Sequence, residues 1–340
     1  MNQEYLELLN NIKSQIYSSR NKAVIAVNSE LVKLYWYIGR KILDEQTHKG
    51  WGSKVIDILS KDLKKEFPEM KGFSTRNLKY RRKFAETYSD IEFVQQVAAQ
   101  IPWFHNCIII DKINDTDERN WYIQQTIENG WSRNVLVMQI ETDLKNRIGK
   151  ADTNFKETLT DYHSDLANES LKDPYIFDFL SIGKDAHERE IEKELVKHIT
   201  KFLLELGSGF AFVGNQYRLE VGGEEFFIDL LFYHLKLRCY VVIELKSGDF
   251  KPEHAGKLNF YLSAVDSLLK SDADNPSIGL ILCKSKNKLV AEYSLKDISK
   301  PVGISEYKLI ESIPEEFKTS LPSIEDLEQE LAEVGIVNNE

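Results

Sequence analysis

Two adjacent apolar runs, EFFIDLLFYH and RCYVVIELK, constrain this chain more than any other feature. Each has the length and the β-branched and aromatic content of a buried strand. A short loop joins them, so they read as a hairpin. Yet the first run carries Asp229, and the second ends in Glu244 and Lys246. A carboxylate in an apolar setting costs several kcal/mol unless a partner compensates it.

Strand geometry brings these charges together. Residues two apart share a face, so Glu244 and Lys246 point one way and Leu245 the other. A hairpin centred between Lys236 and Leu237 places Asp229 directly opposite Glu244. Two hard oxygen ligands with open water positions suit Mg²⁺, with Mn²⁺ as the alternative. An Asp near a turn and an exposed Glu-x-Lys at a strand end also arise in sheets with no metal role. The apolar neighbours Ile228, Leu230, Val242, Ile243 and Leu245 favour the metal reading. They imply a sheet covered on both faces, where facing carboxylates repel unless a cation compensates them.

Around this hairpin the pattern alternates helix and strand. DAHEREIEKELVKHITKFLLELG has an Asp185 cap, Glu188 three residues on, and Gly207 as its stop. FAFVGNQYRLEV and the two hairpin runs follow as strands. A helix opens near Pro252, SIGLILCK is a strand, LVAEYSL a short helix and VGISEYKLI a last strand. The order αβββαβαβ is that of a mixed sheet flanked by helices, an α/β fold. The first half is helical by period instead. Val24, Val27, Leu31, Leu34, Tyr35, Ile38 and Ile42 form a stripe. SKVIDILSKDLKKEF is a second helix closed by Pro68, and Ser74 caps a third, TRNLKYRRKFAETY. Further helical patterns lie around 91–100, 118–129 and 133–147. The expected organisation is an all-α or winged-helix-like domain over 1–165, a linker or docking segment over 166–184, the α/β domain over 185–310, and an acidic tail over 311–340.

Charge is unevenly placed along the 340 residues. Of the net −10, the last 30 residues account for −8, leaving −2 on the other 310. In contrast, KGFSTRNLKYRRK (Lys71 to Lys83) holds six basic residues and no acidic one. Arg76, Lys79 and Lys83 share a helical face, and Arg81 and Arg82 broaden it. This is a local footprint for a phosphate backbone, or else a solvated helix face. No apolar run approaches the roughly 20 residues that span a bilayer, and the start lacks a signal-peptide pattern, so no membrane role is expected. Three widely spaced cysteines point to free thiols in a reducing cytoplasm.

A helix bearing a Glu, a strand bearing an Asp and a strand ending in Glu-x-Lys resemble the PD-(D/E)XK, restriction-endonuclease-like nuclease fold. More closely, LELGSGFAFVGNQYRLEVGGEEFFIDLLFYHLKLRCYVVIELKSGDFKPEHAGKLNFYL is similar to the YhcG-type nuclease family, specifically so over residues 203–262. NSELVKLYWYIGRKI, STRNLKYRRKF, NGWSRNVLVMQI and DPYIFDFL resemble that family's N-terminal domain. The resemblance implies a metal-dependent nuclease with Asp229 and Glu244 as metal ligands and Lys246 as the catalytic lysine. Glu192 matches the helix Glu, and it lies on the stripe with Leu195 and Ile199. One position departs from the family pattern: Lys257 stands where a Gln is usual, four residues before Tyr261. Gln216, on the first strand, is a candidate for phosphate contact or a plain polar face residue. The expected partner is nucleic acid, DNA first, with branched or foreign DNA suggested by family analogy alone. The alternative is a non-catalytic DNA-binding or assembly subunit on an inert nuclease-like scaffold. The sequence leaves oligomeric state, a homo-oligomer included, open.

Overall fold

The computed structural model describes residues 3–49, 54–180, 182 and 186–309. These form two compact units that divide after Ile140. Asp185 and the acidic stretch 311–340 lie outside the described residues.

The first unit comprises α1 (Gln3–Lys49), α2 (Lys54–Glu66), α3 (Thr75–Thr87), α4 (Ile91–Gln96), α5 (Trp103–Lys112), α6 (Thr116–Asn129) and α7 (Arg133–Glu141). Among the described residues it contains no strand, so the unit is all-α and the winged-helix alternative falls away. Ser74 caps α3 as expected, its Oγ accepting the Asn77 N–H at 3.2 Å. The stripe expected on α1 is only partly the buried one: Val32 and Ile42 turn inward, while Val24, Val27 and Leu34 are exposed. The seam follows Gly39, where a Cβ would stand 1.9 Å from the Arg81 carbonyl oxygen, so α1 and α3 meet backbone to backbone. Helix α5 escaped the sequence reading because Ile108, Ile109 and Ile110 are all buried. A helix covered all round has no amphipathic period.

The second unit begins earlier than the sequence suggested. Before the expected α/β domain come α8 (Leu144–Arg147), β1 (Asp152–Thr153), α9 (Phe155–Thr158), α10 (Asp161–Ser170) and β2 (Tyr175–Ile176). The chain divides after Ile140 rather than at 165, and 166–180 packs on the sheet, the docking reading of the expected linker or docking segment. Both short strands pair with the last strand of the sheet, and Phe155, Leu171, Tyr175 and Phe177 are buried in its core. Arg147 and Glu205, both buried, fasten this segment with a 2.5 Å ion pair. The polar composition of 144–165 does not signal its docking, which only long-range contacts reveal.

Then follow α11 (Glu188–Lys197), α12 (Ile199–Leu206), β3 (Phe210–Val221), β4 (Glu224–His234), β5 (Cys239–Asp249), α13 (Pro252–Leu268), β6 (Ile278–Ser285), α14 (Lys288–Leu295) and β7 (Val302–Lys308). This is the expected order, with the first helix broken in two at His198. His187, not Asp185, flanks α11, and its N–H donates to Glu190 at 2.9 Å. The sheet order is β1-β7-β6-β5-β4-β3 with β2 beside β7. β3, β4 and β5 are antiparallel, whereas β5, β6 and β7 are parallel, each parallel step crossing through a helix. One core covers each face, and Ile228, Leu230, Val242, Ile243 and Leu245 are all buried. Cys107, Cys239 and Cys283 are free thiols. No described helix is long and apolar enough to cross a membrane.

Candidate active site

The β4–β5 hairpin has the register expected from its sequence. Leu230 pairs with Ile243, Tyr233 with Tyr240 and His234 with Cys239, a ladder whose extension sets Asp229 opposite Glu244. The ladder stops one residue short of that pair. Instead, the Leu245 N–H donates to Asp229 Oδ2 at 2.9 Å, so a side chain takes the place of a main-chain acceptor. Main-chain pairing of β4 with β5 ends there, at the mouth of the hairpin.

On the other side of β4, Asn215 pairs with Leu230 and Tyr217 with Ile228, and Gln216 lies between them with φ of 45°. A non-glycine residue in the left-handed region is strained and held there by its surroundings. Ile228 and Leu230, two apart, pack into opposite cores, so period-two alternation breaks at Asp229. That break turns the Gln216 amide towards two carboxylates. Its Nε2 donates to Glu192 Oε2 at 2.7 Å and to Asp229 Oδ1 at 3.4 Å. Asn215 Nδ2 holds the other Glu192 oxygen at 3.0 Å. Glu192, buried on α11, is thus fixed by amides.

Glu244 is 1 % exposed. Its Oε2 accepts from Lys257 Nζ at 2.9 Å and has Lys246 Nζ at 3.6 Å, while its Oε1 is buried without a hydrogen-bond partner. Burial, then the Asp229 charge, push the Glu244 carboxyl above its ordinary range against the pull of the two lysines. Burial likewise disfavours the Lys257 ammonium. The Glu244 carboxylate and its hydrogen bond outweigh that and hold the amine above its usual value. Lys246, also buried, reaches Glu188 Oε2 at 3.4 Å and the Leu245 carbonyl at 2.5 Å.

Glu192, Asp229, Glu244, Lys246, Gln216 and Lys257 therefore belong to one connected set, supplied by α11, β3, β4, β5 and α13. Two members escaped the sequence reading. Glu188 binds Lys246 and accepts the Ser247 N–H at 3.2 Å, although its place in the first turn of a helix suggested a cap alone. Asn215 had only its adjacency to Gln216 to suggest it.

The basic helix is a partial correction. Arg76 and Lys79 are exposed on α3, and Lys83 is exposed but paired with Asp111 at 2.6 Å. Arg82 is half-buried against Gln46 and Glu86. Arg81 is 2 % exposed, stacked 4.1 Å from the Tyr35 ring centroid and 5.2 Å from that of Phe73. It is a core guanidinium and cannot meet a phosphate backbone. The sequence placed it beside the surface residues because it adjoins them in a charge run.

The orphaned Glu244 Oε1 beside Asp229 fits a hard divalent cation. Among the described residues no group of three or more His, Cys, Asp or Glu side chains is placed to hold a metal. An ion here would take these two carboxylates and fill its shell with water or phosphate oxygens.

Residues 168–322 match the YhcG PDDEXK nuclease domain, and residues 11–147 match the DUF1016 N-terminal domain. A protein of Escherichia coli (strain K12) named "Putative nuclease YhcG" is 29% identical over 349 aligned positions, covering 92% of each chain. Similar solved structures include the EndoMS-dsDNA2 complex, 16% identical over 40% of this chain and 48% of that one, with a TM-score of 0.27. A repair endonuclease from Pyrococcus abyssi is 17% identical over 38% of this chain and 50% of its own, with a TM-score of 0.26.

Proposed function

This chain belongs to the YhcG-type PD-(D/E)XK nuclease family, and from that premise we propose that it is a Mg²⁺-dependent nuclease hydrolysing phosphodiester bonds in DNA. The observation that carries the reading is the hydrogen-bonded path from Glu192 through Gln216 to Asp229 and on to the Leu245 N–H, between Glu244 and Lys246. Asp229 and Glu244 are the cation's protein ligands. When bound, that ion supplies Lewis acidity at the scissile phosphate. Lys246 is the catalytic lysine: its ammonium, anchored by Glu188, neutralises charge that develops on the phosphate and orients the attacking water. Glu192, fixed by Asn215 and Gln216, keeps the Gln216 amide against Asp229 and so positions that carboxylate.

The test is a panel of linear, nicked, single-stranded and branched DNA with RNA counterparts, in Mg²⁺, Mn²⁺ and EDTA. Divalent-dependent cleavage of DNA is expected. Tight DNA binding without cleavage of any substrate in either metal would assign the chain to the non-catalytic, scaffold class instead.

Within the helical unit, Arg76 and Lys79 are the exposed cations proposed to meet phosphate. Replacing both by Gln should flatten the slope of log K against log salt by roughly 1.8 on duplex DNA, about 0.9 for each contact. An unchanged slope places DNA contact elsewhere.

A further inference from the structure

Four ionised groups meet at the mouth between β4 and β5: Asp229 and Glu244 against Lys246 and Lys257. With Glu188 on Lys246 and Glu192 behind Gln216, carboxylates outnumber ammonium groups around them. The two ammonium groups are not equivalent. Lys246 has a side chain 10% exposed and is tied to Glu188 as well as Glu244. The Lys257 side chain is 46% exposed and closes on Glu244 Oε2 from α13 at 2.9 Å, its Nζ 5.0 Å from the Tyr261 ring centroid. A long, half-solvated stem can leave its partner without unpacking the core. A Gln in its place would donate to the same oxygen without bringing a charge.

We propose that Lys257 is a displaceable internal counter-ion of Glu244, with which a divalent cation must compete. The cation entering beside Glu244 meets a like charge already seated there, so it binds more weakly than at a site with a neutral amide. Its arrival on the unpartnered Oε1 sets a like charge against the ammonium on Oε2 and loosens it towards the mouth, where it is free to meet a substrate phosphate. Metal occupancy and phosphate contact are thereby coupled through one side chain. This rests on the assignment of Asp229 and Glu244 as cation ligands.

The experiment is calorimetric titration of MgCl₂ into the full chain without nucleic acid, for wild type, Lys257→Gln and Lys257→Arg. Lys257→Gln should bind Mg²⁺ about tenfold more tightly or better, because a unit charge near the ion is gone. Lys257→Arg should stay close to wild type. A second measurement needs no variant: acylation of the Lys257 amine, read by mass spectrometry, should rise severalfold when Mg²⁺ is added. Equal or weaker affinity in Lys257→Gln, or acylation indifferent to Mg²⁺, overturns the role of Lys257 while leaving the cation site standing. Absence of Mg²⁺ binding in wild type and Lys257→Gln alike removes the cation site, and this inference with it.

Discussion

At the turn of the β4–β5 hairpin His234 faces Cys239, and at the far end, where the ladder stops, the Asp229 charge acts on Glu244. The two ends share strands, register and, at His234 and Glu244, the same 1 % exposure. They handle ionisable groups in opposite ways. At the turn, burial and then the Lys236 charge push the His234 ring down to about 4, and the neutral Nδ1 accepts the Leu237 N–H at 3.1 Å. Burial pushes the Cys239 thiol up to about 12, with Asp266 and Asp274 adding to it. The closed end disposes of charge. At the open end two lysines, a backbone N–H and an amide keep carboxylates in place. Equal burial thus has two outcomes, and the partners within reach decide which one holds.

The largest expected effect separates the ends by chemistry. Asp229→Asn keeps an acceptor for the Leu245 N–H but removes the ligand charge. Cleavage should fall by roughly a thousandfold or more, several kcal/mol of lost transition-state stabilisation, with little change in melting temperature. Near-wild-type cleavage by this variant breaks the comparison, because the open end would then be structural too.

Next comes the pH dependence of the closed end. The folded His234 value of about 4 lies below the ordinary 6.5, so the folded state resists protonation. Its contribution is fully present above 6.5 and is lost as pH falls towards 4, up to about 3 kcal/mol. Melting curves from pH 7 to 4.5 should therefore be flatter for His234→Asn, which has an acceptor but no proton to gain. Parallel slopes for wild type and variant would remove His234 from the account.

The smallest effect is steric. Gly209 has φ of 105°, and a Cβ there would stand 2.8 Å from His234 Nε2. Gly209→Ala should cost about 1–3 kcal/mol through backbone strain and displacement of the ring. Where the variant is folded, its cleavage rate should match wild type. A rate loss without a stability loss would mean that the two ends of the hairpin are coupled.

Much of the α/β unit was legible in the sequence. The order of its elements along the chain from α11 to β7, the hairpin register and the convergence of Asp229, Glu244 and Lys246 follow from alternation and from a loop short enough to fix the pairing. Helix α5 and the docking of 144–165 were not legible. The first is apolar without a period, and the second is polar by composition yet held by Arg147, Glu205 and strand pairing across the chain. Arg81 misled because neighbours along a charge run point to different sides of a helix.

The sequence by itself determined which residues can carry charge into an apolar sheet, because period, spacing and turn length are local properties. It determined that Asp229 and Glu244 would come to the same end of the hairpin. Tertiary structure alone decided what lies around them: the end of main-chain pairing between β4 and β5, the left-handed Gln216, the reach of Glu188 from α11 and of Lys257 from α13. These depend on how separate elements close on one another, and a side chain's electrostatic environment is set by distance in space, to which separation along the chain is no guide.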